Sequence, residues 1–402
     1  MSSETKKKGS FAFVAVETVV LGVYAILCEY MYYMQTLKLE AGLYESDLPY
    51  HIEMALDGWG YSLTAIVYRL LSMLPASNHL IAIFLSLCTI AAILVTQKWV
   101  SLCVQNKWIS FGIALSSGFV MAFFIRAVQY SRYFGYQCGS IWHNSTYIVM
   151  KVFAAATFFL YCLIAKRYGK KFTWKDWGFF AVLLAVTTAT KTSFVLAFAP
   201  AALLMLGLDL YLKIPVKKVL LVATTVVPTI AIVLLQQTVL FGDDTGNGIT
   251  IDFAYSVYLT TGRPYLTMPL SVLFPLVVLG FNAWPVLKKT FADLKERKGE
   301  LTHRDYIFSW LMWFVGFAEY VLLRETGNRA KDGNFSWGYD FCIFILFVVS
   351  MVYFVKNLKD ETFANKKVRI VYGVFAGAIL LYHFVCGVYF FAMILQGYTY
   401  FL

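Results

Sequence analysis

Apolar residues recur along this chain in long runs, at about 11–35, 78–97, 108–127, 147–165, 177–190, 193–211, 219–240, 268–287, 306–323, 338–355 and 370–395. Most are near the roughly 20 residues that an α-helix needs to cross a hydrocarbon core of about 30 Å. One shorter stretch has a different rhythm. Leu63, Ile66, Val67, Leu70, Leu71 and Leu74 follow the i, i+3, i+4, i+7 spacing and stop before Pro75. That pattern predicts an amphipathic helix too short to span, lying in the membrane interface. The pattern as a whole predicts an all-α integral membrane protein: about 11 transmembrane helices plus the interfacial helix, in a single polytopic domain over 1–402. Between the fifth and sixth runs, Thr187-Thr188-Ala189-Thr190-Lys191-Thr192-Ser193 interrupts the apolar pattern without a water-facing loop. A broken or re-entrant pair is expected there, and such backbone is tolerated only when buried in protein or lining a cavity.

Composition agrees, with 60% hydrophobic and 14% charged residues against roughly 25% charged in soluble domains. A net charge of +11 could suggest nucleic acid, but the cations are not spread at random. All but ten of the 34 Lys and Arg residues fall in alternate loops that share one side, and the ten are Lys38, Arg69, Arg126, Arg132, Lys151, Lys191, Arg263, Arg324, Arg329 and Lys331. By the positive-inside rule the N-terminus is cytoplasmic and, after an odd number of spans, the C-terminus extracytoplasmic; the expected location is the plasma membrane. Lys6, Lys7 and Lys8 precede the first run as in a signal peptide, yet Phe11 to Gln35 is too long for a signal core and reads as a retained anchor. The seven cysteines show no metal-ligand spacing and read as packing residues.

The basic loops are short. Those on the other side, 36–77, 128–146, 241–267 and 324–337, carry aromatic, Gly, Asn and acidic residues, so the chemistry is expected there. In the first, Ser46 or Asp47 can cap a helix with Pro49 in its first turn, which sets His51 one turn past Asp47; Glu45 lies just before. The plainer alternative is a capped surface helix with solvated acids. The second loop offers Trp142, His143 and Asn144 as ring face, imidazole and amide for a sugar or phosphate, or else an interfacial Trp beside a helix start. Asn144-Ser145-Thr146 and Asn334-Phe335-Ser336 also fit the N-glycosylation pattern. In the last loop, Arg324, Arg329 and Lys331 stand against the charge trend beside Gly327 and Gly333, with Trp337 and Tyr339 following. They suit a phosphate, or they pair with Glu325, Asp332 and Asp340 and order the loop. Glu29, Glu319 and Lys191 are ionisable groups within apolar runs and so functional candidates, Lys191 for a phosphate or for an ion pair with Glu319 or Glu29. Glu17 and Asp209 lie nearer the basic side and can snorkel or cap.

A first span, then a large outer loop with Ser46-Asp47-Leu48-Pro49-Tyr50-His51-Ile52, then an interfacial helix, resembles the GT-C class of membrane glycosyltransferases of the bacterial cell-envelope type. The resemblance implies sugar transfer from a polyprenyl-phosphate donor to a glycan or polymer acceptor on the extracytoplasmic face. It carries the catalytic-base role to Asp47, with Glu45 as its neighbour and His51 as an orienting group. Arg324, Arg329, Lys331, Lys191 and Arg263 would hold the donor phosphate, and Trp142, His143, Asn144, Trp337 and Tyr339 the sugar or acceptor. The metal-dependent branch of the class has an acidic motif in its second outer loop, but no Asp or Glu occurs between Lys98 and Lys175. No metal or other cofactor is therefore expected, with Asp243 and Asp244 the remaining possible ligands. Expected partners are membrane lipids, the lipid-linked sugar and the acceptor, with no nucleic acid. A polysaccharide polymerase with a pyrophosphate-linked donor and a lipid-linked sugar transporter or flippase are the alternatives; no internal repeat supports the transporter.

Overall fold

A computed structural model describes residues 3–37, 42–58, 61–128, 137–241, 246–261, 263–297, 299–360 and 364–398. Its helices are α1 (Ser3–Thr36), α2 (Leu48–Leu56), α3 (Leu63–Ser72), α4 (Ser77–Val104), α5 (Lys107–Ser117), α6 (Ser145–Ala165), α7 (Trp174–Thr190) and α8 (Ser193–Tyr211). They continue with α9 (Val216–Ala223), α10 (Val227–Phe241), α11 (Tyr255–Thr260), α12 (Pro264–Ser271), α13 (Leu273–Glu296), α14 (Arg304–Leu322), α15 (Ser336–Lys359) and α16 (Lys366–Leu395). Two short strands, β1 (Gly248–Ile251) and β2 (Leu323–Thr326), pair antiparallel with Ile249 opposite Glu325. Among the described residues, seven helical stretches are long and apolar enough to cross a membrane, or eight if α12 and α13, bent by 67°, count as one. The protein is thus a helical, multi-pass membrane protein. Polar caps start the helices where the sequence changes from polar to apolar: Asn144 Oδ1 accepts from Tyr147 N at 2.9 Å at α6, and Thr173 with Asp176 forms a capping box at α7. The most buried helix is α15, packed among α14, α8, α13, α16, α5, α4 and α6.

The bundle has two chemically different ends. At one, the basic loops meet acidic partners: Lys166 with Asp305 (2.6 Å), Lys170 with Glu300 (2.6 Å) and Arg167 with Asp176 (2.5 Å). Just inside this basic end, Asp209 of α8 neither snorkels nor caps. Its buried carboxylate takes both Nη atoms of Arg304 on α14, one at 2.6 Å, and the Tyr168 hydroxyl at 2.5 Å. Removing one member of a buried ion pair leaves an uncompensated charge, so Asp209→Ala is expected to cost about 3–5 kcal/mol. The double change Asp209→Leu with Arg304→Met removes both charges and is expected to cost much less. Thermal unfolding of the purified protein in detergent measures both, and equal losses in the two variants would contradict the pairing argument.

At the opposite end, α6 begins, α7 and α8 meet in a tight turn, and α14 leads into β2. The Tyr44 N–H and Tyr44 hydroxyl bond the backbone near the end of α16, at Gly397 O (3.1 Å) and Leu395 O (3.0 Å). The expected interfacial helix is α3: Thr64 and Tyr68 face inward, while Ile66 and Leu70 are exposed.

Two predicted spans differ. The run 268–287 is broken at Val272, where α12 meets α13. The run 108–127 is helical only as α5, which ends at Ser117; after a last turn bond from Phe119 N to Ser116 O (2.9 Å), Val120 to Ala122 are buried outside any helix. The cause is tertiary. A Cβ on Gly387 would lie 1.3 Å from Phe119 O, so α16 admits this strand of backbone only through that glycine. His383 of α16 supplies what the backbone lacks: Nδ1 donates to Met121 O (2.6 Å), and Nε2 therefore accepts from Phe274 N (3.3 Å) beside the α12–α13 bend. One imidazole thus satisfies two breaks in helical structure at once, the condition under which non-helical backbone survives away from water.

Candidate active site

The first loop folds as its turn chemistry suggests, with a division of labour the sequence left open. Ser46 Oγ accepts from Leu48 N at 3.0 Å, and Pro49 occupies the first turn of α2. Asp47 precedes the helix but makes no side-chain cap. Its carboxylate is spent elsewhere: Asn144 Nδ2 donates to Asp47 Oδ2 at 2.6 Å. The Asp47 N–H donates to His143 O (3.0 Å), and His51 Nδ1 meets Ser145 Oγ at 2.9 Å. Three bonds therefore lock the start of α2 to the start of α6. From there a relay runs to the α7–α8 turn: Lys191 Nζ donates to Thr146 Oγ1 (2.9 Å), which donates to Asn144 Oδ1 (2.9 Å). Lys191 also lies 5.0 Å from the ring centroid of Trp337. It pairs with neither of its expected acids; Glu29 instead meets His79 at 3.0 Å.

These residues wall a cavity of about 440 Å³, within the roughly 300–1,000 Å³ range of ligand pockets. It brings together Asp47, His51, Asn144, Lys191, Arg329, Lys331 and Trp337, seven positions singled out from four separate stretches of sequence. Gly327 and Gly333, at φ +70° and +63°, make the turns that carry the last loop over it. Arg329 is partly neutralised there by Glu325 (3.0 Å) and Asp332 (3.7 Å), so the loop-ordering alternative holds for this residue alongside its cavity position. Burial pushes the His51 imidazole down to about 4, Asp47 opposing and Lys191 adding to the effect, so His51 is neutral near pH 7. Burial also lowers Lys191, to about 8, against the pull of Asp47. Asp332 is raised by burial, with Arg329 opposing.

Other candidates lie elsewhere. Trp142 is buried and donates Nε1 to Tyr24 OH (3.1 Å); the space beside it, about 30 Å³, is too small for a sugar. His143 is buried behind the cavity wall, its ring 5.9 Å from that of Trp337. Tyr339 stacks on Tyr320 in the core (5.3 Å). Arg324, on β2, pairs with Asp252 at 2.8 Å and lies over the Tyr255 ring at 3.6 Å, while Arg263 donates to Ala127 O at 3.3 Å; neither lines the cavity. Asp340 accepts from Cys138 N (3.1 Å) in the core rather than pairing with a cation of the last loop. Glu45 is exposed and outside the cavity. Asp243 and Asp244 lie outside the described residues. Among the described residues, no three or more His, Cys, Asp and Glu side chains form a metal-binding group.

Some cavity residues had not been anticipated. Gln236 of α10 donates to Tyr61 O (3.1 Å) and Ala189 O (3.3 Å), tying α10 to the α7–α8 turn. An amide inside the apolar run 219–240 was the available signal. Asn334 donates to Glu325 Oε2 at 2.5 Å, and Asn144 is a buried helix cap, so both N-glycosylation patterns are engaged in the site. No family model matches the chain, and neither a curated protein nor a solved structure matches it.

Proposed function

We propose that the protein is a GT-C-like membrane glycosyltransferase that moves a sugar from a polyprenyl-phosphate donor to a cell-envelope glycan or polymer acceptor. The observation that carries this reading is the meeting of Asp47 with Lys191, Arg329 and Lys331 around one cavity. A carboxylate near a cluster of cations suits a displacement in which a proton leaves one reactant while negative charge grows on the other. Asp47 takes the proton of an acceptor hydroxyl, the oxygen attacks the anomeric carbon, the bond from that carbon to the phosphate oxygen breaks, and the cations receive the phosphate. A single displacement inverts the anomeric centre. Neutral His51, held by Ser145, keeps the start of α2 in register and orients Asp47 or the sugar. No metal is required in this scheme.

The charge asymmetry of the loops supports an extracytoplasmic site and a cytoplasmic N-terminus in the plasma membrane, with the apolar runs of the sequence taken as about eleven traverses. Three cations at one cavity also suit a pyrophosphate, the donor of a polymerase. Purified protein given radiolabelled polyprenyl-phosphate and polyprenyl-pyrophosphate sugars, with acceptor and with EDTA, separates the readings. Transfer from the monophosphate donor that survives EDTA is expected. Transfer from the pyrophosphate alone would point to a polymerase, and movement of lipid-linked sugar across proteoliposomes without transfer would point to a transporter.

A further inference from the structure

The second outer loop enters the bundle at Gly139. A Cβ there would lie 2.7 Å from the Cβ of Phe344 on α15, so only glycine lets this backbone approach that helix so closely. The Gly139 carbonyl accepts from Lys151 Nζ of α6 at 2.7 Å, and the same ammonium stands 4.1 Å from the Phe344 ring centroid. Lys151 has no carboxylate partner among the described residues, and no Asp or Glu occurs between Lys98 and Lys175. One carbonyl and one ring leave a cation on a spanning helix short of compensation, and a charge away from water is costly unless paired.

Lys151 borders the small cavity of about 30 Å³ together with Ser140, Ile141 and Trp142. The Ser140 hydroxyl is buried, the residue 1% exposed, and makes no hydrogen bond. The N–H groups of Ser140, Ile141 and Trp142 likewise make none among the described residues. The great majority of buried backbone N–H groups are paired, so three successive orphans beside an orphaned hydroxyl and an uncompensated cation call for a bound species. What these groups have left to give is donors. The carbonyls of Gly139 and Ser140 are already engaged, by Lys151 and by Cys138 Sγ (3.2 Å). A water would bring hydrogens as well as lone pairs, whereas an anion brings only acceptor capacity and the charge that Lys151 lacks.

We propose that this cavity binds a small monovalent inorganic anion of the halide class, held by Lys151, the Ser140 hydroxyl and the N–H groups of the loop. A water-sized sphere needs roughly 10–15 Å³ on this measure, so the space takes a monatomic ion and excludes a phosphate. The ion would fasten the loop to α6 just before Asn144, the residue that caps α6 and holds Asp47. It touches none of the groups that line the larger cavity except through that backbone, so the site stands whether or not the protein transfers a sugar.

The test uses full-length protein purified in detergent and exchanged into sodium gluconate. Thermal unfolding is followed as chloride or bromide replaces gluconate at constant ionic strength, and chloride NMR line broadening reports bound ion directly. Sulfate is the control, because it stabilises proteins generally by exclusion from their surface. Halide should raise the unfolding temperature along a saturable curve, as a ligand of the native state does, and sulfate should show no saturation. Ser140→Ala removes one donor to a charged ligand and should weaken chloride roughly tenfold. Lys151→Met should abolish both the saturable response and the line broadening, while Lys191→Gln, at the larger cavity, should change neither. A wild-type protein indifferent to halide and without line broadening would overturn the proposal. So would a response that survives in Lys151→Met, which would be a general salt effect, or one lost in Lys191→Gln, which would place the ion among the other cations. Should Lys151→Met not fold, the chloride affinity of Ser140→Ala decides, and an unchanged value overturns the site.

Discussion

Asp47→Asn should lower turnover by about 10² to 10⁴, the usual contribution of a positioned general base, while leaving donor affinity nearly unchanged. The geometry makes this substitution unusually clean. Asn144 already occupies Oδ2 at 2.6 Å, which leaves Oδ1 as the oxygen for an incoming proton. An Asn side chain has the same shape and keeps a carbonyl oxygen for the Asn144 amide, so the lock between α2 and α6 survives. What disappears is basicity. The backbone bonds from Asp47 N to His143 O and from His51 N to Asp47 O do not depend on the side chain, so folding is expected to be normal. Loss in kcat with unchanged KM is the signature of an interaction made only in the transition state. Glu45→Gln should be mild because Glu45 stands outside the cavity, and His51→Ala intermediate because it frees Ser145 and loosens α2. Near-normal turnover in Asp47→Asn would remove Asp47 from the chemistry and leave Glu325 and Asp332, the other carboxylates at the cavity, which share Arg329, as the next candidates.

The site residues that could be read from the sequence share one property: each is a polar group where hydropathy or charge topology disfavours it. Lys191 between two apolar runs with no water-facing loop, Arg329 and Lys331 against the charge trend, and Asp47 before a proline-started helix all stand out for that reason. Trp142 and Tyr339 were chosen only as rings in or beside an outer loop, and they face the core, because a ring beside a loop gives no sign of which way it turns. Arg324 was ambiguous for another cause. Its partner Asp252 is 72 positions earlier and reaches it only through the pairing of β1 with β2, a contact no local pattern encodes. The helix that stops at Ser117 is the largest departure in the fold. Its run is apolar enough to span, and its breaking depends on Gly387 and His383, far away on α16. Segments such as α7 and α14 show the reverse: they are helical where expected but, at 17 and 19 residues and with charged ends, are not among the seven stretches that length and composition alone mark as spanning.

Lys191 should give the reaction a pH dependence that identifies the donor site. Burial holds its ammonium at about 8, so in the empty cavity it is charged below that pH and neutral above it. The charged form is the one that attracts a phosphodiester, which has no titration of its own in this range. As pH rises through about 8, kcat/KM for the donor should therefore fall, by up to tenfold per unit, because that ratio reports the free enzyme. Bound phosphate stabilises the ammonium and raises its pKa, so the corresponding break in kcat should move to higher pH. Lys191→Gln removes the charge at every pH; a hydrogen bond to a charged group contributes about 1.5–3 kcal/mol, so donor KM should rise roughly tenfold to a hundredfold. Lys191→Arg separates charge from position. A guanidinium remains charged throughout, so this variant should lose the alkaline break even if its activity is reduced, since the planar fork cannot reproduce the Lys191–Thr146 bond. The relay makes the same point from the other side. Thr146→Val removes the hydroxyl between Lys191 and Asn144 and should weaken donor binding without shifting the pH of the break by more than a fraction of a unit, because Thr146 is uncharged. A kcat/KM profile flat to well above pH 9, or a break that persists in Lys191→Arg, would assign the phosphate to Arg329 and Lys331 alone.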